Sequence, residues 1–312
     1  MHRVRRTALS ALLILFAAGL LRYPADCAAA ARQGLSLCLE TVLPALFPFF
    51  VLSSLCVSGG MADDLARALE GWMRPLFALS GAGAGALALG LLGGYPVGAR
   101  TVGELLQRGA LPRAEAERLL AFCNNAGPGF VLGICGAAVF GSTRAGLYLY
   151  LVHVLASLLT GILLCRLSPA PRRSCTPRSV PQVRHPAVSF PAAVSSSFTA
   201  VWGVCGFVVL FMVLLRLLTL LLPSGAARSP WYPLLLGTIE LTNGALALQN
   251  DRMGFVLCAV LLGWGGLSVH AQTLSVLGGN DLSLRYYWCG KLLHALLSAP
   301  LALLVSYRIF PL

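Results

Sequence analysis

Charge is what this chain has least of. Only 11% of its 312 residues are charged, 23 basic and 11 acidic, against about a quarter in an ordinary soluble domain. A water-facing shell cannot be assembled from so few, which argues against a soluble globular protein. Lysine is nearly missing: Lys291 is the only one, and from sequence it reads as compositional bias, not as part of a mechanism. Ten cysteines are present, but no CxxC pair and no Cys/His cluster with zinc spacing, so no metal is assigned and the thiols read as small buried hydrophobes. There is no P-loop, no GxSxG, no HExxH and no carboxylate pair that can be placed on one face. The chain therefore reads as a protein that binds and releases, not as an enzyme. The apolar runs do not alternate with period two, which excludes a β-barrel.

What the chain does have is apolar sequence. It is 57% hydrophobic with a mean hydropathy of +0.80, in blocks long enough to cross about 30 Å of hydrocarbon at about 1.5 Å per residue. The expectation is an all-α polytopic membrane protein of about eight spans, with the lipid bilayer as its solvent. A net charge of +12 invites a nucleic-acid reading. However, the arginines sit at the ends and in one loop, with no basic face interleaved with aromatics, so no nucleic-acid partner is expected. Retention of cationic loops in the cytoplasm explains them better.

Four regions follow. Residues 1–34 hold a first helix and loop; retention of the helix 7–21 is favoured over cleavage as a signal peptide because Arg22, Pro24 and Asp26 crowd any cleavage point. Arg3, Arg5 and Arg6 then place the N-terminus in the cytoplasm. Residues 35–167 form a first half and 191–312 a second, joined by 168–190, a basic, proline-rich cytoplasmic linker without an acidic residue. Within these, 61–79 is amphipathic and suits the membrane surface, and 130–140 is too short to span and suits one arm of a re-entrant hairpin. Further spans are expected at 145–165, 191–222, 232–249, 254–269 and 286–306, with a polar break at 271–283.

Glycine, proline and amides interrupt these blocks at particular places. In GGYPVGARTVGELL (93–106), Gly94, Pro96 and Gly98 break a helix around Tyr95. Arg100, Glu104, Gln107 and Arg108 then fall on one face. The competing reading is an interfacial amphipathic helix with a modest Arg100–Glu104 pair. In AFCNNAGPGF (121–130), Asn124 and Asn125 precede a turn forced by Gly127 and Pro128. In a soluble protein this would be only a loop; between apolar arms it resembles a hairpin tip. In TIELTNG (238–244), Glu240 sits deep in an apolar run that Asn243 and Gly244 interrupt. An intramembrane carboxylate usually faces a partner or a watery path, although a neutral, internally bonded Glu is the alternative. In GGLSVHAQTLSVLG (265–278), His270 and Gln272 flank the expected break. Glu40, His153 and Arg216 read as structural or interfacial.

The physical argument is common to all four. A broken helix frees backbone N–H and C=O groups, which cost several kcal/mol each in hydrocarbon unless something pairs with them. Such breaks are sensible where they line a cavity. The two halves are also weakly similar: Gly98-Ala99 followed by AGPGFVLG (126–133) parallels Gly244-Ala245 followed by AQTLSVLG (271–278), with Gln272 aligned to Gly127. Broken segments at matching positions are a device of secondary transporters.

GYPVGA (94–99), FCNNAGPGF (122–130), ELTNG (240–244) and GGLSVHAQ (265–272) together resemble the YlbJ-type sporulation integral membrane proteins of the nucleoside-recognition, or Gate-domain, superfamily. The resemblance covers about residues 35–305. It implies movement of dipicolinic acid, a small planar dianion, across the forespore membranes of an endospore-forming bacterium. It also places Tyr95, Asn124, Asn125, Glu240, Asn243 and Gln272 near the substrate path, and Arg100 is a further substrate-binding candidate, a cation chemically suited to the carboxylates. Nucleoside transport and a non-transporting sporulation scaffold remain the alternatives. No cofactor is expected, and the sequence leaves coupling to protons or sodium, and self-association, open.

Overall fold

The computed structural model describes residues 2–167, 189–223 and 225–310. The basic stretch 168–188, and with it most of the expected linker, lies outside the described residues. No strand occurs among the described residues. The chain begins with α1 (His2–Arg22), α2 (Pro24–Leu37), α3 (Leu43–Ser58), α4 (Met61–Phe77), α5 (Ala84–Gly93), α6 (Val97–Gln107) and α7 (Arg113–Leu119). It continues with α8 (Thr143–Leu167), α9 (Phe190–Leu221), α10 (Tyr232–Ile239), α11 (Leu241–Leu246), α12 (Arg252–Trp264), α13 (Gly266–Val276) and α14 (Arg285–Ser306). Two segments, Cys38–Val42 and Gly129–Val139, are wound as π-helix.

The protein is an integral membrane protein. Among the described residues, four stretches are long and apolar enough to cross a bilayer: α8, α9, Arg252–Val276 and α14. Two bent pairs, Ser10–Arg22 with Pro24–Val42 at 100° and Ala66–Phe77 with Gly81–Gly93 at 105°, raise the number to six if each is one span. Some of the apolar blocks behind the expected count of about eight are built as short or bent helices, Leu46–Cys56 and Gly129–Val139 among them. The amphipathic segment 61–79 is α4, with Trp72 exposed.

The long helices show why they are stable in lipid. α14 turns Tyr287, Gly290, Lys291, His294, Ser298 and Ala302 inward and leaves Leu292, Leu296 and Leu304 exposed. α8 does likewise, burying His153, Ser157 and Thr160 while Leu147, Leu151 and Leu155 face out. Polar groups point in and leucines point out, the reverse of a soluble bundle, because the outer solvent is hydrocarbon. α12 and α8 both pack along α14, and α2 and α3 pack along α9.

Small residues allow the closest approaches, as is usual where helices associate without a hydrophobic driving force between them. The broken pair α5–α6 folds tightly on itself and against the 120–127 segment: a Cβ at Gly90 or Gly98 would lie 3.0 Å from the other's Cα and run into the carbonyl oxygen of Cys123. In the pair α10–α11, Gly244 lies directly on the backbone of Gly237. Gly98 and Gly244, expected at helix breaks, are thus inside helices: Gly98 in the first turn of α6 and Gly244 within α11. Their lack of a side chain serves helix contact, not bending.

Gly90→Val should overpack the α5–α6 contact and cost on the order of 1–3 kcal/mol, read as a lower thermal midpoint in detergent. Gly206→Ala, on the exposed face of α9 with open space around it, should not lower the midpoint and should raise it slightly, since alanine is the better helix former.

Candidate functional site

The helix breaks lie at 94–96, 120–127, 240 and 265–266. Gly94, at φ 80, turns the chain out of α5. Residues 120–127 separate the seven-residue α7 from the π-helical segment, and neither arm is long enough to cross a bilayer alone. Glu240 is extended, at φ −135 and ψ 114, and divides α10 from α11. Gly265 and Gly266, at φ 93 and 81, divide α12 from α13.

Two breaks therefore sit elsewhere than the sequence suggested. The interruption read at Asn243–Gly244 falls at Glu240, because the carboxylate caps the new helix itself, accepting from the N–H groups of Thr242 at 3.2 Å and Asn243 at 2.8 Å. In the stretch 265–283 the backbone breaks at Gly265–Gly266, an adjacent glycine pair that holds two positive φ values without strain, and the expected polar break is met only over 277–284, after α13 ends. Gln272 is consequently not at a hairpin tip. It lies inside α13, buried, and donates to Ser268 Oγ at 3.1 Å.

The breaks come together. A Cβ on Gly94 would meet the backbone of Gly127, one on Gly265 would sit 3.4 Å from the Tyr95 hydroxyl, and one on Gly266 would meet the Gly237 and Ile239 carbonyl oxygens. Each break is also closed by side chains from elsewhere. Tyr150 donates to the Leu91 carbonyl at 2.9 Å, and Tyr95 donates to the Leu262 carbonyl at 2.6 Å. The indole of Trp264 donates to the Thr238 carbonyl at 3.1 Å. Ser157 and Asn125 both donate to the Phe122 carbonyl, at 2.6 and 2.8 Å. His153 Nε2 accepts from the Ala126 N–H at 2.9 Å.

At the centre is Lys291. Its side chain is fully buried, its Nζ donates to the Asn124 carbonyl at 2.6 Å, and it lies 4.8 Å from the centroid of the Tyr95 ring. Among the described residues no carboxylate pairs with it. From there a polar chain runs on: Asn124 Nδ2 donates to Thr273 Oγ1 at 2.8 Å, Tyr287 reaches Thr273 at 3.4 Å, and Tyr287 meets His270 Nδ1 at 2.7 Å. The Oδ1 atoms of Asn124 and Asn125 and the Nε2 of His270 are buried without a partner. A second buried pair, His153 and His294, stacks with ring centroids 4.5 Å apart.

The seven sequence candidates divide into groups. Tyr95 and Asn124 belong to the Lys291 cluster, with Asn125 beside them. Arg100 is about one turn into α6 and faces another way, paired with Glu104 at 2.9 Å, lying over the Phe50 ring and reaching Ser196 on α9 at 3.3 Å. Glu240 and Asn243 form a third group, where the amide of Asn243 bonds the carboxylate at 2.7 Å and also approaches Met212. Of the residues set aside as structural, Arg216 pairs with Asp26, Glu40 accepts from Ser36, and His153 closes the 126 break.

Lys291 is the residue that the sequence reading discarded. The overlooked signal was position, not rarity: in 286–306, Tyr287, Lys291, His294 and Ser298 recur at helical spacing on one face of an otherwise apolar span.

Comparison with known proteins agrees with the motif resemblance. Residues 39–165 match the Gate family, described as nucleoside recognition. The chain is 28% identical to the sporulation integral membrane protein YlbJ of Bacillus subtilis over 349 residues, covering 98% of this chain and 84% of that protein. The chain is similar to YlbJ from end to end. No solved structure matches it. The Gate match contains the 94–96 and 120–127 breaks, whereas the YlbJ similarity also takes in α10–α14 and therefore Glu240, Gly265 and Lys291.

Trp264→Phe should leave the Thr238 carbonyl unpaired and cost about 1–3 kcal/mol, seen as a lower melting midpoint. Trp72→Phe, on the exposed side of α4, should not change it.

Proposed function

We propose that this chain carries a small organic anion across a bilayer, and that the anion is dipicolinate on its way into the forespore of a sporulating cell. One observation carries the reading: interrupted helices from distant parts of an integral membrane protein meet around a buried, polar, cationic centre. Irregular backbone at membrane depth is tolerated where it is buried in protein or lines a path for a polar guest. Similarity to a sporulation membrane protein supplies the biological setting, and the two carboxylates of dipicolinate suit a site rich in donors and positive charge.

The residues near the path are proposed to be Tyr95, Asn124 and Asn125, with Gln272 on the adjoining helix. Arg100, Glu240 and Asn243 would line it at a greater remove. The reading is of a carrier and not an enzyme, because polar groups gathered at helix breaks suit binding and release. A nucleoside is the second reading, favoured by the description of the Gate match and by buried amides able to bond the edge of a base. A scaffold without transport would need none of these groups.

Purified protein in liposomes should admit labelled dipicolinate above the rate of protein-free vesicles, with saturation, and excess uridine should not compete. Equal rates in the two vesicle types would contradict anion transport; competition by uridine would favour the nucleoside reading. Asn124→Ala should lower the rate at least tenfold at unchanged protein content, whereas a scaffold would tolerate it.

A further inference from the structure

The reading above leaves open which group meets the negative charge of the substrate. Among the described residues three cations are buried, Arg100, Arg118 and Lys291, and Arg118 is engaged on α7, lying over the Tyr286 ring. Arg100 is already balanced by Glu104, at 2.9 Å, with both side chains mostly buried. Lys291 is fully buried and has no described carboxylate beside it. Its Nζ is held by one backbone carbonyl, by the face of Tyr95 and, at 3.5 Å, by the Tyr95 hydroxyl. Dipoles and a ring quadrupole compensate a buried charge only in part.

The position of Lys291 adds a second observation. It bonds the Asn124 carbonyl in the 120–127 break and contacts Tyr95 in the 94–96 break, and Tyr95 in turn closes the backbone freed at Gly265. Three of the four breaks are therefore tied together through this ammonium. A neutral donor such as a glutamine amide could satisfy a single carbonyl equally well. A lysine there brings something that amide would not: a whole positive charge in a low-dielectric setting, where an anion would be strongly attracted.

We infer that Lys291 is the substrate-binding cation, receiving a carboxylate of the transported anion at the junction of the helix breaks, while Arg100 is held in an internal pair. This rests on the anion-carrier reading and deepens it. On this assignment the carboxylate takes the place of the Asn124 carbonyl as the main partner of the ammonium. Releasing that carbonyl loosens the contact between α14 and the 120–127 break. Binding would thus act directly on the segments whose movement a carrier needs.

The test uses the full chain in liposomes and in detergent, as wild type, Lys291→Gln, Lys291→Arg and Arg100→Gln. The probes are dipicolinate, the monoanion pyridine-2-carboxylate and the neutral isostere pyridine-2,6-dicarboxamide. Wild type should prefer dipicolinate to the dicarboxamide by at least tenfold in competition. Lys291→Gln should raise the KM for dipicolinate at least tenfold and flatten the preference for the dianion over the monoanion. Lys291→Arg should keep that preference, and any rise in KM on Arg100→Gln should be at least threefold smaller than on Lys291→Gln. A folded Lys291→Gln protein with wild-type KM and preference would overturn the assignment. So would equal competition by the dicarboxamide in wild type, which needs no variant. Should wild type move no dipicolinate at all, transport itself fails, and binding is then read separately. A thermal shift with dipicolinate in wild type that is lost in Lys291→Gln supports the assignment, and no shift in wild type removes it.

Discussion

A backbone N–H or C=O group inside hydrocarbon must find a partner within the protein, and the rest of this structure follows from how that requirement is met. Unbroken helices satisfy it locally, as α8, α9 and α14 do over most of their length. The interrupted helices cannot. Each leaves carbonyls or amides without their partners one turn away, and the structure closes them with side chains from other interrupted segments. Tyr95, set in one break, closes Leu262 before another; Trp264, at the edge of that one, closes Thr238 before a third. The breaks hold one another up, which is why they are found together.

This interlocking gives several polar residues two roles. Tyr95, Asn125 and Glu240 all lie where a substrate path is proposed, yet each already satisfies backbone of the protein itself. Movement of a guest through the junction has to exchange these bonds for others, and a carrier that alternates between two arrangements needs such exchangeable bonds. Among the described residues, the atoms left over at the junction include the Oδ1 of Asn124 and Asn125, the Nε2 of His270 and the Nδ1 of His153 and His294, beside a Lys291 amine with no described carboxylate next to it. The glycines at 90, 98, 237 and 244 complete the arrangement by letting each broken pair fold back on itself closely enough for the short side chains to reach.

Much of this is legible in sequence because lipid is a demanding solvent. The apolar blocks give the all-helical class. Gly94 with Pro96, and Asn124 with Gly127 and Pro128, mark two breaks because proline cannot continue the helical hydrogen-bond ladder and Gly94 holds a positive φ. Other features are less legible for physical reasons. Asn243-Gly244 looks like a break but is a capped helix start, since the decisive bond is made by Glu240 three residues earlier. The 271–278 stretch looks polar enough to unwind, yet Gln272 and Thr273 find partners on their own helix, at Ser268 and the Val269 carbonyl, so α13 continues. Lys291 could be valued only once its neighbours were known, because the residues that give it meaning, Tyr95 and Asn124, are far away in the chain. The number of spans resists reading for a similar reason: hydropathy measures how apolar a block is, not whether it runs straight.

The central claim is that distant breaks meet at one junction and that this junction must move. Asn124 and Thr273 touch across it, 2.8 Å apart between Nδ2 and Oγ1. The most direct measurement is disulfide formation between Asn124→Cys and Thr273→Cys, mapped by peptide mass spectrometry, with dipicolinate flux followed before and after oxidation. The account expects a 124–273 linkage that stops residual flux until a reductant restores it. Absence of that linkage under oxidation, or flux indifferent to it, would contradict the account.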